Sequence, residues 1–189
     1  MTPFDLYLMR HGEPERTGLM LGHTDCPSTT AGIVACREQA QDLRVETLIS
    51  SDLVRAHATA EAIGNALSQS VKVDARWREL NFGAWDGLSR RDIDQGALTL
   101  FTDDPDRFPP PGGETWSALV GRVGGAIAGL EPSPTLVVTH AGAMRAAMAH
   151  LCGFSYSSLW GFDISYAALL CLRVWPGERS VGQIVGLWP

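Results

Sequence analysis

The chain has 189 residues, of which 45% are hydrophobic, so a single domain with a sizeable core is expected over residues 1–189. No apolar run reaches the roughly 18 residues needed to span a membrane, and no basic region followed by an apolar block marks a secretory signal. The formal net charge of −6 argues against nucleic acid as the main partner. These observations predict a cytoplasmic protein that binds neither membrane nor nucleic acid.

The first apolar run, Leu6 to Met9, has the composition of a buried strand and ends at Arg10-His11-Gly12. In an open α/β sheet, ligands bind just beyond the carboxyl ends of the strands, so Arg10 and His11 are predicted to face a substrate. Arg10 offers a planar fork for phosphate or carboxylate oxygens. His11 can act as a nucleophile, a general base or a metal ligand. Which of these roles applies depends on the residues that the rest of the chain places beside it.

Strand and helix patterns alternate along the rest of the chain. In order they are a helix from Thr29 or Thr30 to about Leu43, a strand over 45–49, a helix over 53–67, a strand over 71–75, a helix over 114–130, a strand ending before His140, a helix over about 143–151, and two apolar segments over 167–175 and 181–188. Residues 88–113 read as short helical pieces and turns.

This order predicts an α/β fold in three layers, α/β/α, with a mostly parallel central sheet and helices on both faces. The two final apolar segments are separated by Pro176-Gly177, which favours an antiparallel pair at the edge of the sheet. An exposed edge of this kind could pair with a second copy, so a homodimer is a further expectation.

Two more residues are predicted to reach the same sheet edge. Arg55 falls in the first turn of its helix, with Ser51 or Asp52 as the N-cap, and a helix N-terminus favours an anion. His140 repeats the opening pattern, because Gly142 follows it within two residues much as Gly12 follows His11.

Two arginines and two histidines around one point describe a site for an oxyanion such as phosphate. A metal is the rival use of the histidines, but the arginine charges would repel a cation and no Asp or Glu is spaced as a third ligand. The four cysteines are also too irregularly spaced for a zinc pattern. A purely structural role would be the simpler reading for one such histidine, but not for two at matched strand ends.

Four stretches resemble the motifs of the histidine phosphatase superfamily, the phosphoglycerate-mutase-like group. They are Leu8 to Glu13, Ser50 to Ala60, Glu79 to Gly87, and Val138 to Gly142 with Arg145. The segments Gly22 to Gly32 and Pro110 to Thr115 are also similar, so the resemblance covers nearly the whole chain. Any one motif would be weak, whereas four in the same order are specific.

The resemblance implies a phosphoglycerate-mutase-like fold and a reaction that needs no metal and no cofactor. His11 would attack phosphorus and become a phosphohistidine, while Arg10, Arg55 and His140 hold the phosphoryl oxygens. Glu79 would protonate the leaving oxygen and then activate water. The attacking nitrogen of His11 must be neutral, so its other nitrogen is expected to donate to a backbone carbonyl.

Further substrate-binding candidates are Thr17, Gly22, His23 and Ala141. Thr17 stands where relatives have an Asn that helps bind phosphate, and His23 either touches substrate or faces solvent. Ser28, Ala58 and Ala141 depart from the family pattern, and none is expected to touch the chemistry. Arg145 is expected to brace the last motif, and Arg90 either extends the positive field or is solvated.

The resemblance also implies a small phosphorylated metabolite as substrate. The mutases of the family carry extra sequence between the acid and the second histidine, whereas the stretch from Glu79 to His140 is short here and a more open site admits water. A phosphatase is therefore favoured, most similar to the short α-ribazole-phosphatase-like bacterial members. Phosphoglycerate-mutase-type transfer and non-catalytic binding of phosphate or a phosphoprotein stay as alternatives.

Overall fold

A mixed sheet forms the centre of the part of the chain that the computed structural model describes, residues 2–189. Within those residues it has six strands, in the spatial order β3-β2-β4-β1-β5-β6. The strands are β1 (Phe4–Arg10), β2 (Thr47–Ser50), β3 (Val71–Val73), β4 (Thr135–Thr139), β5 (Leu169–Trp175) and β6 (Val181–Trp188). The first four are parallel, and β5 and β6 continue the sheet antiparallel, as predicted for the closing pair.

Five α-helices within residues 2–189 cover the two faces of this sheet. They are α1 (Thr30–Ala40), α2 (Val54–Leu67), α3 (Gln95–Asp103), α4 (Trp116–Ala128) and α5 (Ala141–Cys152). Helices α1 and α2 pack with Met9 and Val138 on one face. Helices α3, α4 and α5 belong to the larger cluster on the other face, with Leu8 and Val137. Neighbouring strand residues point to opposite faces, and the predicted three-layer α/β/α architecture follows from that alternation.

The two central strands position the functional residues. Every residue of β4 is buried, and β1 lies beside it in parallel, with Arg10 opposite Thr139. The carboxyl ends of these strands therefore meet at one edge of the sheet, where Arg10, His11 and His140 emerge.

The start of α2 differs from the prediction. The N-cap residue is Leu53, not Ser51 or Asp52, and its side chain makes no capping hydrogen bond. Asp25, from the loop before α1, supplies the missing acceptor, because its Oδ1 receives the Val54 backbone N–H at 2.8 Å. A cap contributed by a distant loop leaves no local sequence signal. The other predicted ends shift by a few residues, and Thr29 caps α1 as expected.

Two glycines allow the loop after β1 to touch the start of α1. A Cβ added at Gly12 would overlap the carbonyl of Gly32, and one added at Gly32 would overlap the backbone nitrogen of Glu13. Only residues without side chains can approach this closely. The contact fixes the nucleophile loop against the helix.

Strand β6 forms one edge of the sheet and exposes Val181, Val185 and Trp188. A homodimer through this edge stays a prediction. No helix within residues 2–189 has both the length and the apolar character needed to cross a bilayer.

Candidate active site

His11 is held in one orientation directly after β1. Its backbone N–H donates to the carbonyl of Thr139 at 2.9 Å, and its Nδ1 lies 2.7 Å from the carbonyl oxygen of Gly12. Because a carbonyl can only accept, the proton sits on Nδ1 and Nε2 keeps its lone pair. Burial, reinforced by the charge of Arg55, lowers the pKa of His11 well below its usual value. The ring is therefore neutral at physiological pH.

His140 lies next to His11, with 5.1 Å between the ring centroids. Its Nε2 is 2.9 Å from Oγ of Ser51, which also accepts the Leu53 backbone N–H at 3.3 Å. The hydroxyl of Ser51 can donate its proton to Nε2, and in that pairing the imidazole proton lies on Nδ1. That Nδ1 is buried and has no protein partner. Burial and the charge of Arg55 also hold the pKa of His140 well below its usual value.

The two arginines are anchored by carbonyls and an aromatic ring. Nη1 of Arg10 donates to the Ile164 carbonyl at 2.7 Å, and its guanidinium carbon lies 3.8 Å from the centroid of the Tyr166 ring. Arg55 is fully buried and donates to the carbonyls of three loop residues, Leu21, Gly22 and Thr24, at 2.6 to 3.1 Å.

Neither guanidinium is neutralised by a carboxylate. Within residues 2–189 no ion pair includes Arg10 or Arg55, and the buried Nε of each has no hydrogen-bond partner. Burial lowers the pKa of both side chains, but an arginine stays protonated in proteins. The positive charges of the buried Arg55 and the half-buried Arg10, with three unpaired N–H groups that include Nδ1 of His140, therefore surround His11. This arrangement suits an oxyanion.

Glu79 reaches the same edge from the loop after β3. Its Oε1 accepts the Leu80 backbone N–H at 2.8 Å, and its Oε2 accepts the Gly142 backbone N–H at 3.0 Å. A Cβ at Gly142 would overlap Oε1, so only glycine leaves room for this carboxylate. Arg122 steadies the loop from α4, because it donates to the Glu79 carbonyl at 3.2 Å and pairs with Glu114 at 2.7 Å.

Asp86 organises the loop that surrounds Arg55. Its two carboxylate oxygens accept the backbone N–H groups of Gly22, His23 and Thr24 at 2.5 to 3.1 Å. The side chain of His23 then turns towards Glu79 and donates from Nε2 to its backbone carbonyl at 3.1 Å. His23 is therefore tied to the Glu79 loop.

A cavity of about 400 Å³ opens beside this cluster. Its lining includes Arg10 and Glu79 of the cluster, together with Ala141 and Gly142, which directly follow His140 in the chain. The remaining walls are mainly aromatic and apolar and carry three further charged groups; they are Met20, Leu80, Phe82, Arg90, Phe101, Pro105, Trp116, Leu119, Arg145, Tyr156, Trp160, Asp163 and Ile164.

The profile of the histidine phosphatase superfamily (branch 1) matches residues 6–185. The chain belongs to this superfamily. An Escherichia coli adenosylcobalamin/alpha-ribazole phosphatase is 30% identical over 175 residues, which are 84% of each chain. A Salmonella choleraesuis protein named "Probable phosphoglycerate mutase GpmB" is 33% identical over 150 residues, 71% of this chain and 68% of its own. The structure of a mycobacterial glucosyl-3-phosphoglycerate phosphatase superposes with a TM-score of 0.86 at 25% identity, over 97% of this chain and 98% of that one.

This histidine phosphatase brings together five of the residues predicted from sequence: Arg10, His11, Arg55, Glu79 and His140. Of the other candidates, Gly22 and His23 belong to the loop around Arg55, and Ala141 lines the cavity. Thr17 is exposed, does not line the cavity, and keeps only a predicted role.

Ser28, which was not expected to touch the chemistry, contacts the backbone behind the nucleophile and not a reacting group. Ser28 is buried, and its hydroxyl lies 2.9 Å from the carbonyl oxygen of Gly12, the same oxygen that holds Nδ1 of His11. The hydroxyl is also 3.1 Å from the carbonyl of Arg55. A departure from the family pattern therefore sits directly behind the nucleophile.

Sequence reasoning gave no site role to Ser51, Tyr166 or Asp86. Ser51 has one signal in the sequence, because it lies in the motif that contains Arg55, but its position also suits a helix cap. Asp86 lies in the Glu79 motif, where its charge in an aromatic loop could have drawn attention. Tyr166 had no local signal, because it meets Arg10 only through the pairing of β1 with β5.

Proposed function

We propose that this histidine phosphatase hydrolyses the phosphomonoester of a small metabolite in two steps, through a phosphohistidine on His11 and without a metal ion. Nε2 of His11 attacks phosphorus, and the bond from phosphorus to the leaving oxygen breaks as Glu79 supplies a proton to that oxygen. Water then attacks phosphorus, Glu79 takes its proton, and inorganic phosphate leaves as His11 is regenerated.

The observation that carries this proposal is the hydrogen bond from Nδ1 of His11 to the Gly12 carbonyl. It leaves Nε2 as an unprotonated nucleophile near two guanidinium groups that have no carboxylate partner within residues 2–189. Phosphoryl transfer depends mainly on positioning and on electrostatic stabilisation of the equatorial oxygens. Arg10, Arg55 and Nδ1 of His140 have the charge and the unpaired donors for that task.

The test is turnover of an aryl phosphate in excess EDTA, together with a rapid quench into alkaline detergent, which preserves a phosphohistidine, to trap the phosphoenzyme. We expect full activity with chelator, a phosphoenzyme that is stable in base and labile in acid, and loss of both signals in His11→Ala. The matched control is His57→Ala, a half-exposed histidine of α2, which should retain activity. Turnover that chelation abolishes, or that survives in His11→Ala, contradicts the mechanism.

A mutase is the second candidate, because several relatives that match 150 residues are named as probable phosphoglycerate mutases. Interconversion of 3- and 2-phosphoglycerate faster than release of phosphate would favour that reaction. Stoichiometric phosphate binding without any phosphoenzyme would favour a non-catalytic binding module instead.

A further inference from the structure

Arg145 presents its guanidinium to the cavity without a carboxylate partner. It lies on α5, three residues after Gly142, so both residues are on the same side of that helix and both line the cavity. Its Nη2 donates one long hydrogen bond, 3.3 Å, to the carbonyl of Phe162, and its Nε is buried without a partner. Its guanidinium carbon is 4.5 Å from the centroid of the Trp160 ring.

Arg122 shows what a bracing arginine looks like in this protein. It forms two hydrogen bonds with Glu114 and three with backbone carbonyls, which uses the donor capacity of its guanidinium. Arg145 has one such bond, and within residues 2–189 no ion pair includes it. A structural brace therefore does not account for its half-buried charge.

The nearby charges leave the cavity positive beyond the phosphoryl site. Arg90 lines the cavity and is exposed to solvent. Asp163 is the only acid besides Glu79 among the described lining residues, and it is also exposed. Solvent screens Asp163, whereas the half-buried Arg145 is screened less. Arg10 adds a like charge to the same wall.

The rest of the wall suits an apolar body. Phe82, Phe101, Trp116, Tyr156 and Trp160 supply ring faces and edges around a space of about 400 Å³, within the size range of small-molecule sites. A phosphoryl group alone would occupy a small part of that volume. The cavity is therefore shaped for the group that the phosphate leaves behind.

We propose that this cavity binds the leaving-group half of the substrate and that Arg145, assisted by Arg90, holds a second anionic group there. The preferred substrates are then phosphomonoesters of an aromatic or otherwise apolar alcohol that carries a carboxylate. This inference rests on the proposed phosphatase reaction at His11.

The test compares two probes that differ in charge but hardly in shape, 4-carboxyphenyl phosphate and 4-carbamoylphenyl phosphate. The measured quantity is the ratio of their kcat/KM values, carboxylate over amide, in each variant. Differences in leaving-group acidity cancel when the ratios of two variants are compared. We expect the ratio to fall roughly 10-fold or more in Arg145→Gln, as for loss of a hydrogen bond to a charged group, mainly through KM.

Three further variants define the subsite. Arg145→Lys keeps the charge but not the fork, so its ratio should lie between wild type and Arg145→Gln. Arg90 is exposed, so Arg90→Gln leaves the core intact. Because solvent screens its charge, this change should lower the ratio only about 2- to 5-fold. The matched control is Arg91→Gln, because Arg91 is the exposed neighbour of Arg90 and does not line this cavity, and it should leave the ratio unchanged.

A calorimetric measurement separates binding from catalysis. Both probes are titrated into His11→Asn, alone and combined with Arg145→Gln, so that no turnover is required. If the carboxylate probe binds more tightly than the amide probe, and Arg145→Gln removes that preference, the subsite is supported. This holds even if the wild-type enzyme hydrolyses neither probe, because failure of hydrolysis would overturn only the proposed reaction. Ratios that are the same with and without Arg145, in turnover and in binding, overturn the subsite.

Discussion

Replacing Gly142 with alanine should disable Glu79 while leaving the phosphate pocket in place. The added Cβ would overlap Oε1 of Glu79 and lie 3.0 Å from its Cδ. Carbon–oxygen contacts shorter than 3.0 Å are essentially never seen for real Cβ atoms, so the carboxylate has to move by about 1 Å or more. That movement breaks the hydrogen bond from the Gly142 N–H to Oε2, which is 3.0 Å long.

The expected loss follows from the size of this displacement. A misplacement of about 1 Å at a reacting group costs on the order of 100-fold in rate, and a general acid contributes about 10²- to 10⁴-fold. We therefore expect kcat/KM for an alkyl phosphate to fall by roughly 100-fold or more in Gly142→Ala. A 2,4-dinitrophenyl phosphate needs no protonation of its leaving oxygen, so its rate of enzyme phosphorylation should fall less than about 10-fold.

The assay is pre-steady-state phosphorylation of His11 by the two substrates. The matched control is Gly121→Ala on α4, where an added Cβ meets nothing within 4 Å. That change should leave both rates unaltered and stabilise the helix by at most about 1 kcal/mol. In a Glu79→Ala background the side chain that clashes is gone, so adding Gly142→Ala should change the rate little further.

A folded Gly142→Ala enzyme that loses the same factor in phosphorylation rate with both substrates would contradict this prediction, because the damage would then lie in the phosphate pocket. Wild-type rates with both substrates would also contradict it, because Glu79 would then have no role that depends on its position.

Two further predictions concern the groups around the nucleophile. Ser28→Ala removes the hydroxyl behind the Gly12 carbonyl and should lower the free energy of unfolding, measured in urea, by about 1–2 kcal/mol. The control is Ser157→Ala at an exposed position, which should change this free energy by less than about 0.5 kcal/mol. Equal effects would contradict a structural role for the buried hydroxyl of Ser28. The pKa values of His11 and His140 are lower in the folded than in the unfolded chain, so stability should decline as pH falls below about 6.5, by up to about 1.4 kcal/mol per pH unit for each ring. Urea unfolding from pH 7.5 to 5 should show a shallower decline in His140→Asn, and an unchanged slope would refute the assignment.

Sequence alone was sufficient for the residues that follow strands. Arg10, His11 and His140 come directly after two apolar runs, and parallel neighbouring strands end at the same edge of a sheet. The position of Arg55 could be predicted for a related reason, because it lies in the first turn of the helix that follows β2. For Glu79 the resemblance to a known family was needed, since its loop has no periodic pattern.

The remaining parts of the site arise from tertiary contacts that no local pattern encodes. Tyr166 meets Arg10 across more than 150 residues of chain, and Asp25 caps a helix from a separate loop. The cavity is assembled from loops and from helices α3, α4 and α5, so its aromatic lining could not be separated from ordinary core residues in the sequence. Trp77 illustrates this ambiguity, because it belongs to the same aromatic loop as Phe82 and is fully buried in the core.

The backbone contact between Gly12 and Gly32 bears on how such a chain can diversify. Since a side chain at either position would overlap the other segment, neither can be replaced without moving the nucleophile loop. The loop between them leaves and returns at a fixed point, and its outermost part, residues 15–18, is exposed. Insertions and exchanges there would change the protein surface while His11 keeps its place. The pair of glycines thus separates an exposed loop from the fixed position of His11, and residues 15–18 are where a grafted loop would disturb the nucleophile least.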